Sequence, residues 1–372
     1  MKLKVIISGG GTGGHIFPAV AIANEIKSQK PDSEILFVGA LGKMEMEKVP
    51  KAGFNIVGLP IAGLNRSNML ANLAFPFKLI KSLFLAYKIL KDFKPNIAIG
   101  VGGFASGPTL MMANLLGIKT LIQEQNSYAG VTNKLLAKRA EKICVAYPDM
   151  EKFFPKNKIV FTGNPVRSDV IDERYSKKEA TSFFDLECDR KTLLVIGGSL
   201  GALSINKGIT TGLNDLLNAD IQIIWQTGKS FLEQAKEKIY LLQTKRVYVS
   251  DFIYEMDKAY SAADFVVSRA GALSVSELSL VGKASILIPY PFAAEDHQTK
   301  NAQSLSTKNA CILIKDNQIS DQLIDTILSL AAMNEKKLSE LSDNIKKFAK
   351  PLAAKEIVQE VLKITTNESI LL

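Results

Sequence analysis

Ser8–Pro18 reads SGGGTGGHIFP and follows directly on the short apolar run Val5–Ile7. A buried strand that breaks into glycines and resumes as a helix turns backbone N–H groups toward whatever lies beyond the strand end. The positive end of the helix dipole adds to that field. The device recurs further along the chain, where Gly197–Ala202 (GGSLGA) follows Leu193–Ile196. Two such turns predict two nucleotide-binding-type α/β units facing one cleft, and phosphate is the natural guest of each.

Composition sets the bounds. The chain has 372 residues, 47% of them apolar and 22% charged, which is enough for two domains with ordinary cores. Its three cysteines (Cys144, Cys188, Cys311) have no metal-type or CxxC spacing, so they predict neither a disulfide framework nor a zinc site. The apolar part of the N-terminal MKLKVIISGGG is too short for a secretory signal and reads as the first core strand. A net charge of +9 favours an anionic partner. The excess is mostly lysine spread along helical stretches, without an arginine-rich run interleaved with aromatics, so no nucleic-acid partner is expected.

Short β-branched runs bounded by Gly, Pro or Asn recur at Val5–Ile7, Ile35–Val38, Ile97–Val101, Thr120–Ile122, Lys142–Val145 and Ile159–Thr162. After Pro165 the series restarts at Thr192–Ile196, Ile221–Trp225, Val247–Ser250, Phe265–Ser268, Ser285–Pro289 and Ala310–Ile314. Helical stretches separate them, which is the pattern of parallel strands joined by crossover helices. The expected division is a first domain over 1–165, a second over 166–350, and a terminal helix within 351–372 that packs back on the first, with Pro351 as the break.

Two segments touch on membranes. Ile97–Ile118 carries no charge and is long enough to span, yet its first half holds GVGGFASGP; a strand, a third glycine turn and a helix are expected instead. In Met69–Tyr87 the apolar residues Leu70, Leu73, Phe75, Phe77, Leu79 and Phe84 are interspersed with lysines. The later part fits a crossover helix with one face inward. The stretch from Leu70 to Phe84 also predicts an apolar patch rimmed by lysines that would rest on an anionic membrane surface.

The first turn satisfies GxGxxG through Gly9, Gly11 and Gly14, but the second strand ends Val38-Gly39-Ala40-Leu41 without the carboxylate that a nicotinamide ribose needs. No GK[ST] follows either turn, so a Walker loop is excluded as well. The turns suit a ligand phosphate approached by bare backbone. His15, one of two histidines, ends the first turn and is a candidate general base or anion ligand. In the second half, SRAGALSVSE (Ser268–Glu277) joins a strand to a helix through small residues, and Glu277 is placed to accept two ribose hydroxyls.

GGGTGGHIFPA, GVGGFASGP, QEQNSYAG, TGNPVR, GGSLGA, SRAGALSVSE and AAEDHQTKNA, in this order, closely resemble the MurG family of bacterial peptidoglycan glycosyltransferases. The likeness runs from Val5 to about Lys350. It implies the GT-B architecture of two Rossmann-like doubly wound parallel-sheet domains facing a cleft. The implied reaction is transfer of N-acetylglucosamine (GlcNAc) from UDP-GlcNAc to the muramoyl 4-hydroxyl of undecaprenyl-linked lipid I. It further implies peripheral attachment to the cytoplasmic face of the cell membrane and no cofactor. UDP-GlcNAc would meet Arg167 and Ser199 at the diphosphate, Ile253 at the uracil, and Ala272, Leu273, Ser274, Val275, Ser276 and Glu277 at the diphosphate and ribose. Gln298 would hold the sugar hydroxyls. Thr12, Gly13, Gly14 and Asn126 would face the donor sugar, and the first and third glycine turns would cradle the acceptor pyrophosphate. Inverting transfer by single displacement needs one base; His15 is the first candidate and Glu124 the second. The absence of a DxD motif agrees with metal-independent transfer. The competing readings are another GT-B enzyme such as a UDP-GlcNAc 2-epimerase, and a non-catalytic membrane-associated nucleotide-sugar binding protein.

Overall fold

The computed structural model describes residues 2–63, 75–166, 175–198 and 200–366. Leu70, Leu73, Arg167, Ser199 and residues 367–372 therefore lie outside the described residues. The chain divides into two compact units, one of residues 1–167 with 350–372 and the other of 168–349.

In the first unit the elements run β1 (Lys4–Ser8), α1 (Gly13–Gln29), β2 (Glu34–Ala40), α2 (Glu45–Lys51), β3 (Asn55–Leu59), α3 (Phe75–Phe93), β4 (Ile97–Gly100), α4 (Ser106–Leu115), β5 (Lys119–Glu124), α5 (Val131–Leu136), β6 (Lys142–Val145) and β7 (Ile159–Phe161). Its strands pair in the order β3-β2-β1-β4-β5-β6-β7, and each recorded pairing is parallel. Alternate residues of the central strands feed two cores. Val5, Ile7, Ile97 and Ile99 point to the face covered by α1, while Ile6, Ala98 and Ile122 point to the face covered by α4 and the later half of α3. That two-sided burial is why these strands read as continuous apolar runs.

The second unit runs α6 (Lys177–Phe183), β8 (Lys191–Ile196), α7 (Leu203–Thr211), α8 (Leu213–Asn218), β9 (Ile221–Gln226), α9 (Leu232–Leu241), β10 (Val247–Ser250), α10 (Met256–Ala262), β11 (Phe265–Ser268), α11 (Ala272–Val281), β12 (Ala284–Leu287), α12 (His297–Ser306), β13 (Ile312–Leu313), α13 (Ile319–Ala331) and α14 (Glu335–Lys346). Its strand order is β10-β9-β8-β11-β12-β13, again parallel throughout. After Pro351, α15 (Ala353–Thr366) returns to the first unit. Ile357, Val358 and Val361 of that helix join Ile16, Ala19 and Ile22 of α1 in one core.

Ile97–Ile118 forms β4, a glycine turn and the ten-residue α4, as expected, and among the described residues no helix is long and apolar enough to cross a membrane. In α3 the expected patch is redrawn. Phe75 and Leu79 pack against the core on partly buried positions, whereas Phe77, Ile80 and Phe84 are exposed. The reason is helical spacing: residues 77, 80 and 84 lie on one stripe, and the stripe of Ser82, Ala86 and Leu90 faces inward. Ile80 thus joins the outer face in place of Phe75 and Leu79.

Candidate active site

In each sheet the order in which strands are added reverses between two neighbouring central strands, β1 and β4 in one and β8 and β11 in the other. Ligands of open α/β sheets bind outside the carboxyl ends of the strands at that switch point. Each of these four strands leads into a helix: α1, α4, α7 and α11. All four begin without a side-chain cap and without an acidic residue in the first turn. Two helices away from the switch points do carry a side-chain cap. Ser176 and Glu179 form a reciprocal capping box on α6, and Asn334 caps α14. The four switch-point helices therefore present first-turn N–H groups and the positive end of the helix dipole, a setting for anions.

In the first unit the first and third glycine turns touch backbone to backbone. A Cβ on Gly103 would lie 2.2 Å from the carbonyl oxygen of Gly10, and Gly103 has φ +84°, so only glycine fits there. Ser106 fastens the pair, its hydroxyl donating to the carbonyls of Ser8 at 2.6 Å and Gly102 at 3.0 Å. Thr12 is the extended residue before α1, and Gly13 and Gly14 form the helix's first turn. His15 lies over this turn with Nδ1 3.1 Å from the carbonyl oxygen of Gly10 and 3.4 Å from the Thr12 hydroxyl. A carbonyl only accepts, so Nδ1 carries the proton in that contact. The far edge of the imidazole passes where a Cβ on Gly102 would stand, 2.9 Å from Nε2.

Glu124 is buried at the end of β5, and four donors fill its carboxylate: the amides of Asn126 and Gly130 at 3.0 Å each, Asn133 Nδ2 at 2.9 Å and Asn126 Nδ2 at 3.4 Å. Burial pushes its carboxyl up from the ordinary value while these hydrogen bonds oppose the shift. With its oxygens engaged in shaping the 125–130 loop, Glu124 orients Asn126 and is a weaker candidate base than His15.

In the second unit the GGSLGA turn packs on the loop after β9. A Cβ on Gly201 would stand 2.0 Å from the carbonyl oxygen of Thr227, and one on Gly228 would stand 2.2 Å from that of Leu200. Arg269, almost fully buried within SRAGA, clamps the start of α7. Its guanidinium donates to Ser204 Oγ at 2.7 Å, to Asp316 at 2.6 Å and to the carbonyls of Ile288 and Pro289 at 3.2 and 3.1 Å. Leu273 and Ser274 lie half-buried in the first turn of α11 beside buried Ala272. Ser276 turns its hydroxyl back onto the Ala272 carbonyl at 2.9 Å. Glu277 accepts from the Tyr260 hydroxyl at 3.1 Å. Gln298 Oε1 accepts from the amide of Tyr290 at 2.9 Å.

Two expected contacts are narrowed. Val275 is buried and its N–H donates to the Gly271 carbonyl, so it belongs to the helix scaffold and offers a ligand neither side chain nor amide. Ile253 is also buried, and its N–H donates to Gln226 Oε1 at 3.0 Å, which leaves its carbonyl as the polar group for a base. Sequence reading had not singled out Glu45, Gln226 or Arg269. Each is a buried polar side chain that holds a glycine turn, and only Arg269, inside a quoted motif, carried any local signal.

Two parallel sheets with anion-ready helix starts at both switch points have the GT-B architecture, a fold of nucleotide-sugar enzymes. Residues 5–145 match the glycosyltransferase family 28 N-terminal domain and residues 192–357 match the family 28 C-terminal domain. The chain is 55% identical over 368 residues to the UDP-N-acetylglucosamine--N-acetylmuramyl-(pentapeptide) pyrophosphoryl-undecaprenol N-acetylglucosamine transferase of Porphyromonas gingivalis, covering 99% of this chain and 97% of that one. The crystal structure of Acinetobacter baumannii MurG superposes with a TM-score of 0.76 at 29% identity, covering 97% and 99% of the two chains. A UDP-GlcNAc 2-epimerase from Neisseria meningitidis bound to UDP-GlcNAc reaches a TM-score of 0.68 over 98% of this chain and 100% of that one, but at 15% identity this likeness extends to the fold alone. The chain belongs to glycosyltransferase family 28 and, within it, to the MurG family.

Proposed function

We propose that the chain transfers GlcNAc from UDP-GlcNAc to the muramoyl 4-hydroxyl of an undecaprenyl-pyrophosphoryl-N-acetylmuramoyl-pentapeptide, converting lipid I to lipid II in peptidoglycan synthesis. The observation that carries this reading is the set of four uncapped, acid-free helix starts at the two switch points, with His15 beside one of them. The second unit takes the donor. The starts of α7 and α11 receive the diphosphate, Glu277 accepts the ribose hydroxyls, the Ile253 carbonyl accepts the uracil N3–H, and Gln298 holds the sugar. Arg167 and Ser199 complete the donor site. The first unit takes the acceptor, whose pyrophosphate meets the starts of α1 and α4, while Thr12, Gly13, Gly14 and Asn126 face the reacting sugar.

In the transfer, His15 Nε2 takes the proton of the acceptor hydroxyl as its oxygen bonds to the anomeric carbon from the side opposite the phosphate. The bond from that carbon to the β-phosphate oxygen breaks, its electron pair leaves with UDP, and the configuration inverts. Charge gathering on the leaving diphosphate is stabilised by N–H groups already aimed at it, which needs no metal. The exposed stripe Phe77, Ile80 and Phe84, with Lys78, Lys81 and Lys88 beside it, supports peripheral attachment to an anionic membrane surface, where the lipid-linked acceptor resides.

UDP release from UDP-GlcNAc, measured with and without a lipid I analogue, tests the reading. Acceptor-dependent release with formation of the disaccharide is expected, falling roughly 10²- to 10⁴-fold in His15→Ala. Consumption of UDP-GlcNAc that ignores the acceptor would favour an epimerase, and no release at all would leave a binding protein.

A further inference from the structure

Glu45, the first residue of α2, is buried at the foot of the first glycine turn, with both carboxylate oxygens engaged. Oε1 accepts the amide of Ala40 at 2.9 Å, and Oε2 accepts the amide of Gly11 at 2.8 Å. Two glycines make room for it. A Cβ on Gly10 would lie 2.2 Å from the carboxyl carbon, and one on Gly39 would lie 2.6 Å from Cγ. Gly10 also adopts φ +147°, which side chains rarely reach. The N–H of Gly11 and the carbonyl of Gly10 belong to one peptide group, and that carbonyl receives His15 Nδ1 at 3.1 Å. A continuous line therefore runs from the Glu45 carboxylate through the 10–11 peptide to the imidazole.

We infer that Glu45 is a positioning residue for His15: through the 10–11 peptide its carboxylate fixes the Nδ1–H tautomer and strengthens Nε2 as a base. A peptide whose N–H is held by a negative charge is polarised and carries more negative charge on its carbonyl oxygen, so it accepts a hydrogen bond more strongly. The stronger acceptor favours the imidazolium over the neutral ring, as the carboxylate of a catalytic triad does in direct contact. Here a peptide stands between the two, which holds the carboxylate away from the acceptor's phosphates. A second charged group on this side of the sheet, among the described residues, is Glu124. It acts from the end of β5 through Asn133, whose Nδ2 it holds at 2.9 Å, and Asn133 Nδ2 lies 3.8 Å from the Cβ position of Gly102 that the imidazole edge also approaches. The segment after β4 brings Val101, Gly102, Gly103, Phe104 and Ser106 to this turn, none of them charged.

The inference rests on His15 as the base, but its test does not depend on turnover. The chain has two histidines, so a 15N-labelled sample with His297→Gln leaves one ring to follow by NMR. The expected result is an Nδ1–H tautomer in the otherwise unchanged protein, and a titration midpoint lower by about one pH unit in Glu45→Gln. The acid limb of kcat should move down with it and the plateau should fall about tenfold, while the Kd for UDP stays the same. Glu45→Gln would overturn the inference by leaving the midpoint in place. If that variant does not fold, the tautomer in the parent protein decides, and an Nε2–H ring overturns it. Full kcat in His15→Ala would instead remove the base assignment and leave the NMR coupling to be judged by itself.

Discussion

Gln226 and Ile253 are joined by a hydrogen bond from the Ile253 amide to Gln226 Oε1 at 3.0 Å, and the same carboxamide donates from Nε2 to the Gly198 carbonyl at 2.9 Å. One side chain at the end of β9 thus ties the GGSLGA turn to the segment that carries Ile253. In the proposed donor site these are the diphosphate and uracil subsites, so Gln226 sets the spacing between the two ends of UDP.

Gln226→Leu keeps the volume and removes both hydrogen bonds, leaving the buried Ile253 amide unpaired and the carbonyl of exposed Gly198 to water. The buried loss costs about 1–3 kcal/mol, part of it recovered by local relaxation. UDP affinity by calorimetry should fall roughly 10- to 100-fold. Binding of acceptor analogues to the other unit should be unaffected. An unchanged UDP Kd in a folded variant would mean that the spacing is set elsewhere.

The membrane stripe is tested by Phe77→Glu, Ile80→Glu and Phe84→Glu together. These side chains are 76%, 66% and 68% exposed, so the fold should survive the change. Burying each in a membrane interface is worth about 1.5–3 kcal/mol, and the triple variant should lose at least 100-fold in binding to anionic vesicles measured by flotation. Phe75→Glu or Leu79→Glu should instead destabilise the first unit, because those side chains pack against its core. Vesicle binding that survives the triple change would place the contact elsewhere.

Much of this was legible in the chain. Strands buried on both faces announce themselves as apolar runs between glycines, so β1, β4, β8 and β11 and their turns could be read directly. β3 could not. Asn55–Leu59 is an edge strand with exposed Asn55 and Val57 and with Gly58 next to its end, so although Gly53 and Pro60 bound it, it lacks the apolar run. Glu45 was hidden for a different reason. It looks like any glutamate opening a helix, and its role arises from Gly10 and Gly39 making space across three segments. The face of α3 was ambiguous because its apolar residues outnumber one stripe, and only contact with the sheet decides which of them turn inward.

The three thiols differ sharply in surroundings. Cys144 and Cys311 are buried and Cys188 is exposed, and none is in a disulfide. Burial pushes the Cys311 thiol up to about 12 and that of Cys144 higher still, so neither supplies thiolate near neutral pH. A thiol reagent at pH 8 should therefore titrate one cysteine in the native protein and three in denaturant. Rapid reaction of a second thiol under native conditions would reveal local opening around Cys144 or Cys311.

Gly103 and Gly117 allow the backbone and packing costs of a left-handed residue to be separated. Both have positive φ, +84° and +72°, but a Cβ on Gly117 meets nothing within 4 Å whereas one on Gly103 would strike the Gly10 carbonyl at 2.2 Å. Gly117→Ala should cost only the conformational penalty of about 1–2 kcal/mol. Gly103→Ala must in addition push the first and third glycine turns apart, and a displacement of that kind adds about 1–3 kcal/mol. Urea unfolding of the two variants should show the larger loss in Gly103→Ala. Because the push falls on the peptide that receives His15 Nδ1, kcat should drop in Gly103→Ala and hold in Gly117→Ala. Equal stability and equal kcat in the two would mean that the turns yield without disturbing the histidine.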